Sequence, residues 1–278
     1  MVHILSIDLE DWYHGHYPGF NFKKEKFEIS RVIEPTELIL DVLDDTDSKA
    51  TFFVLGVIAE KYPDLMKKIV FKGHKLACHG WDHDLISSLG RENFEKSIIK
   101  TKAELEKYNH EEVIGYRAPN FSVGKQNARW VFEILSENGF KYDSSLFPGR
   151  VFYGGMPSVP KCVHYIEKYG LFELPPSVIG KFGVKFALGG FYLRVLTLKA
   201  IERSILKNES ENNSAMLYFH PKDIDVENPD LPVGPISNWI HQVGVMNCLD
   251  KIKKVLSIFK FTSIENYLNM MGNNYDEK

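Results

Sequence analysis

Residues 4–11 read Ile4-Leu5-Ser6-Ile7-Asp8-Leu9-Glu10-Asp11, an apolar run that turns acidic at its end. Along a strand, successive side chains point to opposite faces. Leu5, Ile7 and Leu9 then share one face, suited to packing under helices, while Ser6, Asp8 and Glu10 share the other. Two carboxylates stand side by side at the strand's C-terminal end. Like charges that close raise each other's pKa unless a cation sits between them. A turn or helix-capping acid, as Asp11 would be, is the plain alternative.

Outward from this strand, short β-branched or aromatic runs alternate with helical patterns. The strands expected are Val2–Asp8, Ala50–Leu55, His74–Cys78, Val113–Tyr116, Leu171–Leu174, Met216–Phe219 and Phe261–Ile264. Helices are expected over Pro35–Leu43, Val57–Phe71, Glu92–Tyr108, Gln126–Glu137, Leu198–Lys207 and Val245–Phe259. In Glu92–Tyr108, Phe94, Ile98, Leu105 and Tyr108 recur on one face at a period near that of a helix. Such alternation predicts an α/β fold with a largely parallel sheet and helical crossovers. The Gly/Pro-rich stretches Phe147–Val163 and Pro221–Gly244 carry aromatics such as Phe152, Tyr153 and Trp239 that a solvated linker would not need. They read as long loops over one mouth of a barrel, where barrel enzymes keep their sites. Residues 271–278 read as a flexible tail after a folded unit over 1–270.

The chain has 278 residues, 44% of them apolar, enough for one large core. A formal charge of −3 and scattered Lys and Arg leave no basic patch for a nucleic-acid backbone, so no nucleic acid partner is expected. Cys78, Cys162 and Cys248 lie far apart, with no CxxC pair, which fits a reducing compartment. The start MVHILSIDLEDW has no basic and apolar leader pattern, and no apolar run is long enough to span a bilayer. A cytoplasmic protein without an integral membrane segment is the expectation. Oligomeric state is not legible.

Four further clusters carry polar residues at strand ends. In Cys78-His79-Gly80-Trp81-Asp82-His83, two histidines four apart can meet on a helical turn and face one metal ion. In Gly115-Tyr116-Arg117-Ala118-Pro119-Asn120, Arg117 would hold a carboxylate in its ionised form, or make a structural ion pair. Asp143 in Tyr142-Asp143-Ser144-Ser145 reads as a turn cap or a site acid, and His220 closes the apolar strand Leu217-Tyr218-Phe219-His220-Pro221. Each signal alone is modest. Together they set Asp, Glu, Arg and three His at the C-terminal ends of several strands.

The ordered set SIDLEDWYH, ATFFVLG, HGWDHD, GYRAPNFS, YDSSLFP, GGFYLR and LYFHP resembles the polysaccharide deacetylases of the NodB-homology group, carbohydrate esterase family four. The resemblance runs from Ile4 to about Leu268, and the opening with LYFHP is most similar to the subset linked to exopolysaccharide biosynthesis. It implies a single distorted (β/α)7 barrel over residues 1–270 and a divalent ion, zinc by preference. By the same resemblance Asp8 is the general base, His79 and His83 are metal ligands, and Arg117 orients the base. Asp143 matches the acid of the fourth motif, and His220 the general acid. One departure matters: the family opens with two adjacent aspartates before a glycine, whereas this chain has Asp8-Leu9-Glu10-Asp11. Strand alternation favours Glu10 over Asp11 as third ligand, and a bulge after Leu9 would reverse that choice.

The implied reaction is metal-dependent hydrolysis of an N-acetyl group on a sugar or oligosaccharide, releasing acetate. Two histidines and a carboxylate also make the facial triad of iron oxygenases, but Asp8 and His220 then have no task. Hydrolysis of another small C–N substrate, or a carbohydrate-binding protein that has lost its metal, remain the competing readings.

Overall fold

The computed structural model describes residues 1–16, 29–109, 111–180, 185–231 and 234–272. Eleven strands are present among them: β1 (Val2–Leu9), β2 (Thr51–Val54), β3 (Lys75–Cys78), β4 (Gly115–Tyr116), β5 (Tyr142–Asp143), β6 (His164–Ile166), β7 (Leu171–Glu173), β8 (Val178–Ile179), β9 (Phe186–Ala187), β10 (Met216–Phe219) and β11 (Lys260–Thr262). Nine make one sheet in the order β10-β1-β2-β3-β4-β5-β7-β6, with β11 added to the start of β1, while β8 and β9 form a separate ribbon. Every pair in the large sheet is parallel except β6 with β7. The sheet curls. Beyond β7 the chain reaches back to the opposite edge, where Ser177 N–H donates to Met216 O at 3.3 Å and Met216 N–H to Ser177 Oγ at 2.9 Å.

Period-two alternation sorts the core into two layers. Leu5, Ile7 and Leu9 pack with Phe52, Val54, Leu76, Cys78 and Tyr116 on the outer face, beneath helices that supply Ile39, Leu43, Ile69, Ile98 and Leu135. Ile4, Phe53, Ala77, Tyr142, Phe172, Leu174 and Met216 meet inside the curl. The interior is crowded enough to require glycine at 115, where a Cβ would lie 2.0 Å from the Tyr142 ring. Full burial of each large apolar side chain stabilises the fold by about 1.5–3 kcal/mol.

All seven expected strands form, within two residues of the expected bounds or shortened at one end. The helix expected over Val57–Phe71 is two, Gly56–Lys61 and Pro63–Phe71. Pro63 lacks the N–H a continuing helix needs, and Tyr62 before it sits at φ −128°, ψ 63°. The Pro221–Gly244 loop contains the helix Pro235–Gln242, with Pro235 in its first turn. The expected strand end at Ile264 is instead the start of the helix Ile264–Met270, capped by the Ser263 hydroxyl. Residues 273–278 of the expected tail lie outside the described residues. Among the described residues no helix is long and apolar enough to cross a membrane.

His74, buried just ahead of β3, accepts the Ala50 N–H at Nδ1 over 3.3 Å. Burial pushes its pKa from 6.5 down to about 4. The unfolded chain therefore takes up this proton first as pH falls. Stability from this group is intact above about pH 7, declines between 6.5 and 4, and is lower by about 3 kcal/mol beyond that window. Urea unfolding of His74→Gln against the wild type across pH 4.5–7 should show a shallower acid loss in the variant.

Candidate functional site

The strand ends gather the site. Glu10, one residue past β1, and His79 and His83, past β3, have ligand-capable atoms within 4.8 Å of one another, and all three are buried. The histidines do not share a helical turn. After Cys78 the chain turns at Gly80, with φ 80°, and His83 itself adopts a left-handed backbone with φ 52°. That costly conformation swings the His83 ring back to 5.4 Å from that of His79.

His79 Nδ1–H donates to the Arg117 carbonyl at 2.8 Å, leaving Nε2 with its lone pair. Burial, acting against Asp8 and Glu10, pushes the His79 pKa to about 4, so the ring is neutral at physiological pH. Burial alone would raise Glu10, but His83, Lys222 and His220 outweigh it and hold the carboxyl well below its usual range. His83 Nε2 lies 2.6 Å from Glu10 Oε2 without the geometry of a hydrogen bond, and Oε2 is a buried acceptor with no donor. Two imidazoles and an ionised carboxylate with one unpartnered oxygen fit a divalent cation of the zinc type, with coordination positions left open.

Asp11 stands apart from this cluster. Its carboxylate accepts from Trp12 N–H and Arg31 N–H, each at 3.0 Å, and from the Ser30 hydroxyl. The alternation that started at Leu5 thus continues through Glu10, and Asp11 caps the turn Trp12–His14.

Asp8 and His220 lie beside the cluster. Arg117, fully buried inside the curl, donates from Nη1 to Asp8 Oδ1 at 2.6 Å and from Nη2 to Ser144 Oγ at 2.9 Å. Its plane lies over the Phe53 ring at 4.1 Å, a contact that strengthens away from water. His220 Nε2 is 3.8 Å from Asp8 Oδ2 and 3.6 Å from Glu10 Oε1. Its Nδ1–H donates to Asp223 Oδ2 at 2.7 Å. Burial opposes charge on this ring, yet Asp223 and Glu10 lift its pKa above the ordinary value.

Three residues of the site carry no role in the sequence reading. Asp223 orients His220, and Arg194 pairs with the other oxygen of Asp223 at 3.0 Å. Arg194 also donates to the carbonyls of Ile240, His241 and Val243, tying the C-terminal end of the helix Pro235–Gln242 to the site. Lys222 forms an ion pair with Glu10. An acid three residues after the strand-end histidine, in His220-Pro221-Lys222-Asp223, was the legible signal for Asp223. Arg194 lay in the quoted GGFYLR without a partner in view.

Asp143 does not join the others. Tyr142 points into the curl, so its neighbour Asp143 points outward with Glu173, its partner across the β5–β7 register. Asp143 accepts from Ser145 Oγ at 2.5 Å, and Ser145 Oγ accepts from Ala118 N–H at 2.8 Å. Burial pushes Asp143 up to about 6 and, with Asp143 beside it, Glu173 well above its usual range. Asp143 therefore holds Ser145 against the Ala118 backbone and is not among the groups that face the metal-type cluster.

Comparison with known proteins agrees with this layout. Residues 33–142 match the polysaccharide deacetylase family, and residues 144–269 match a domain of unknown function, DUF3473. A peptidoglycan-N-acetylglucosamine deacetylase of Bacillus cereus is 32% identical over 106 residues, covering 36% of this chain and 37% of the relative. The chain thus spans well under half the length of the curated relatives it matches. A Mycobacterium smegmatis protein assigned to the polysaccharide deacetylases superposes with a TM-score of 0.58 at 20% identity, over 86% of this chain and 77% of that one. A family 4 acetyl xylan esterase from Clostridium thermocellum, solved with a cobalt ion, gives 0.52 at 16% identity over 99% and 94%. These structures share the NodB-type barrel fold with this chain.

Removing one member of a buried ion pair typically costs about 3–5 kcal/mol, because the other charge stays buried and unpaired. Arg117→Met should destabilise the chain by about that much at pH 7, and the double variant with Asp8→Asn should recover part of the loss. Chemical denaturation of the two variants beside the wild type measures both.

Proposed function

We propose that this chain, whose residues 33–142 match the polysaccharide deacetylase family, hydrolyses the N-acetyl group of an N-acetylated sugar in a glycan or glycan precursor, with a divalent ion, zinc by preference, held by Glu10, His79 and His83. The observation that carries this reading is the company the cluster keeps. A carboxylate fixed by arginine and a histidine fixed by aspartate stand together beside the same Glu/His/His group. The named activity of the B. cereus relative supports the substrate class.

When bound, the ion would polarise the acetamide carbonyl and make water easier to deprotonate. Asp8 would take the water proton, since Arg117 occupies one carboxylate oxygen and Oδ2 lies on the His220 side. His220, favoured in its charged form by Asp223, would hand a proton to the sugar nitrogen as the C–N bond breaks. A C–O bond forms to the acetyl carbon, and acetate and the free amine leave. The buried Asp223–Arg194 pair keeps His220 Nε2 aimed at the reacting atoms.

Lys222 favours one competing reading, a binding protein without a metal, since its ammonium already neutralises Glu10. Lys222 retains 18% side-chain exposure, and a cation held by Glu10 would compete with its ammonium for the carboxylate. Metal analysis decides between the two. The purified wild type should carry about one equivalent of zinc or a similar ion, and His79→Ala should carry none. His220→Ala should keep the metal and lose about 10²–10⁴-fold in acetate release from acetylated oligosaccharides. A wild type that takes up no zinc, cobalt or nickel would leave only the binding reading.

The charged form of His220 is needed, so activity should fall as pH rises through its elevated pKa. Asp223→Asn removes the charge that raises it. The alkaline limb of the rate profile should therefore move to lower pH, a shift read from acetate release between pH 5 and 9.

A further inference from the structure

A row of titratable side chains crosses the outer face of the sheet behind the site. Cys78, Tyr116, Asp143 and Glu173 are paired in register across β3, β4, β5 and β7, and His164 of β6 pairs with Glu173 at the end of the row. Asp143 and Glu173 are both wholly buried, and their side chains are in hydrogen-bonding contact. Two carboxyl groups side by side in such a place cannot both ionise without a large cost. The bonds around them distinguish the one that keeps its proton. Asp143 accepts at both oxygens, from the Ser145 hydroxyl at 2.5 Å and the Ser145 N–H at 3.2 Å. Glu173 Oε1 accepts from Leu146 N–H at 3.0 Å, while its Oε2 is buried with no partner among the described residues. A proton on Oε2, donated to the neighbouring carboxylate, supplies the missing bond. Two bare carboxylates, which only accept, supply none.

We propose that Glu173 is a neutral carboxylic acid at physiological pH, donating from Oε2 to Asp143, and that it is a positioning residue for Arg117. The chain of contacts is short. Asp143 holds Ser145, whose hydroxyl oxygen accepts from Ala118 N–H, and Glu173 holds the backbone of Leu146. Between these two anchors Ser144 takes Arg117 at two points, its hydroxyl from Nη2 at 2.9 Å and its carbonyl from Nε at 3.3 Å. The remaining arm of Arg117 meets Asp8. Without the shared proton, two negative charges would repel each other beside the 144–146 turn that seats the guanidinium. Neither Cys78 nor Tyr116, the next groups in the row, offers a compensating charge, since burial raises both and keeps them neutral. The cation whose field reaches Glu173 is Arg117, already committed to Asp8. The consequence for turnover rests on the hydrolase reading above, whereas the proton itself does not.

Infrared spectroscopy of the full chain at pH 7 tests the proton directly. The wild type should show the carbonyl band of a protonated carboxyl that Glu173→Gln lacks. Urea unfolding gives a second readout. Folded Glu173 keeps a proton that the unfolded chain releases above about pH 4.3, so this group's share of stability falls as pH rises. Glu173→Gln retains an N–H donor and does not titrate, so it should gain stability relative to the wild type between pH 5 and 8. Glu173→Leu offers no donor. It should lower kcat for acetate release from a hexamer of N-acetylglucosamine about tenfold per folded molecule, with KM and bound zinc unchanged, and Glu173→Gln should restore the rate. The same band in wild type and Glu173→Gln, or a glutamine variant that loses ground as pH rises, would overturn the proposal. So would a folded Glu173→Leu with unchanged kcat. A wild type that shows the band but releases no acetate would keep the shared proton and remove the hydrolase reading.

Discussion

The Arg117–Asp8 pair holds the rest in place. An arginine has no business inside a curled sheet unless every donor finds a partner. Here one arm meets Asp8, the other meets Ser144, and the guanidinium plane lies on Phe53. Those partners come from β1, β2 and the segment after β5, so one side chain fixes the relative placement of strands far apart in sequence. The Arg117 carbonyl in turn fixes the tautomer of His79. One residue thereby orients the Asp8 carboxylate and the lone pair of His79 together. Around Arg117 the buried polar groups satisfy one another, and that part of the network is rigid rather than merely polar.

The chain's two family matches meet between residues 142 and 144, yet the sheet takes no notice of that boundary. β5 pairs with β7, and β10 and β11 from the second half both flank β1 from the start of the chain. The division of labour in the site is equally mixed. The first half supplies Asp8, Glu10, His79, His83 and Arg117, and the second supplies His220, Asp223 and Arg194. The DUF3473 region therefore supplies part of the candidate site alongside the region that matches the polysaccharide deacetylases.

Parity explains which acids could be read early and which could not. In the eight-residue strand β1, alternation is long enough to assign Asp8 and Glu10 to one face and Leu5, Ile7 and Leu9 to the other. In β5 only two residues pair, and no periodicity exists to tell whether Asp143 faces in or out. Its outward direction follows from Tyr142 filling the interior, a packing fact with no local signature. The same shortness hid β6, β8 and β9, whose three or two residues fall below any pattern.

The sequence by itself determined the strand–helix alternation, the two faces of β1, and the placing of histidines, arginine and acids at strand ends. These are local properties, written in the period of the side chains and in the turn residues beside them. Only the tertiary structure decided that Glu10 joins the two histidines while Asp11 caps a turn, since that depends on where Ser30 and Arg31 return to meet it. It alone paired Arg194 with Asp223 and set Tyr153 beside His16, contacts between residues 29 and 137 positions apart. Such pairings arise when loops from separate crossovers converge over one mouth of the curled sheet, and no stretch of chain short enough to show a pattern contains both partners.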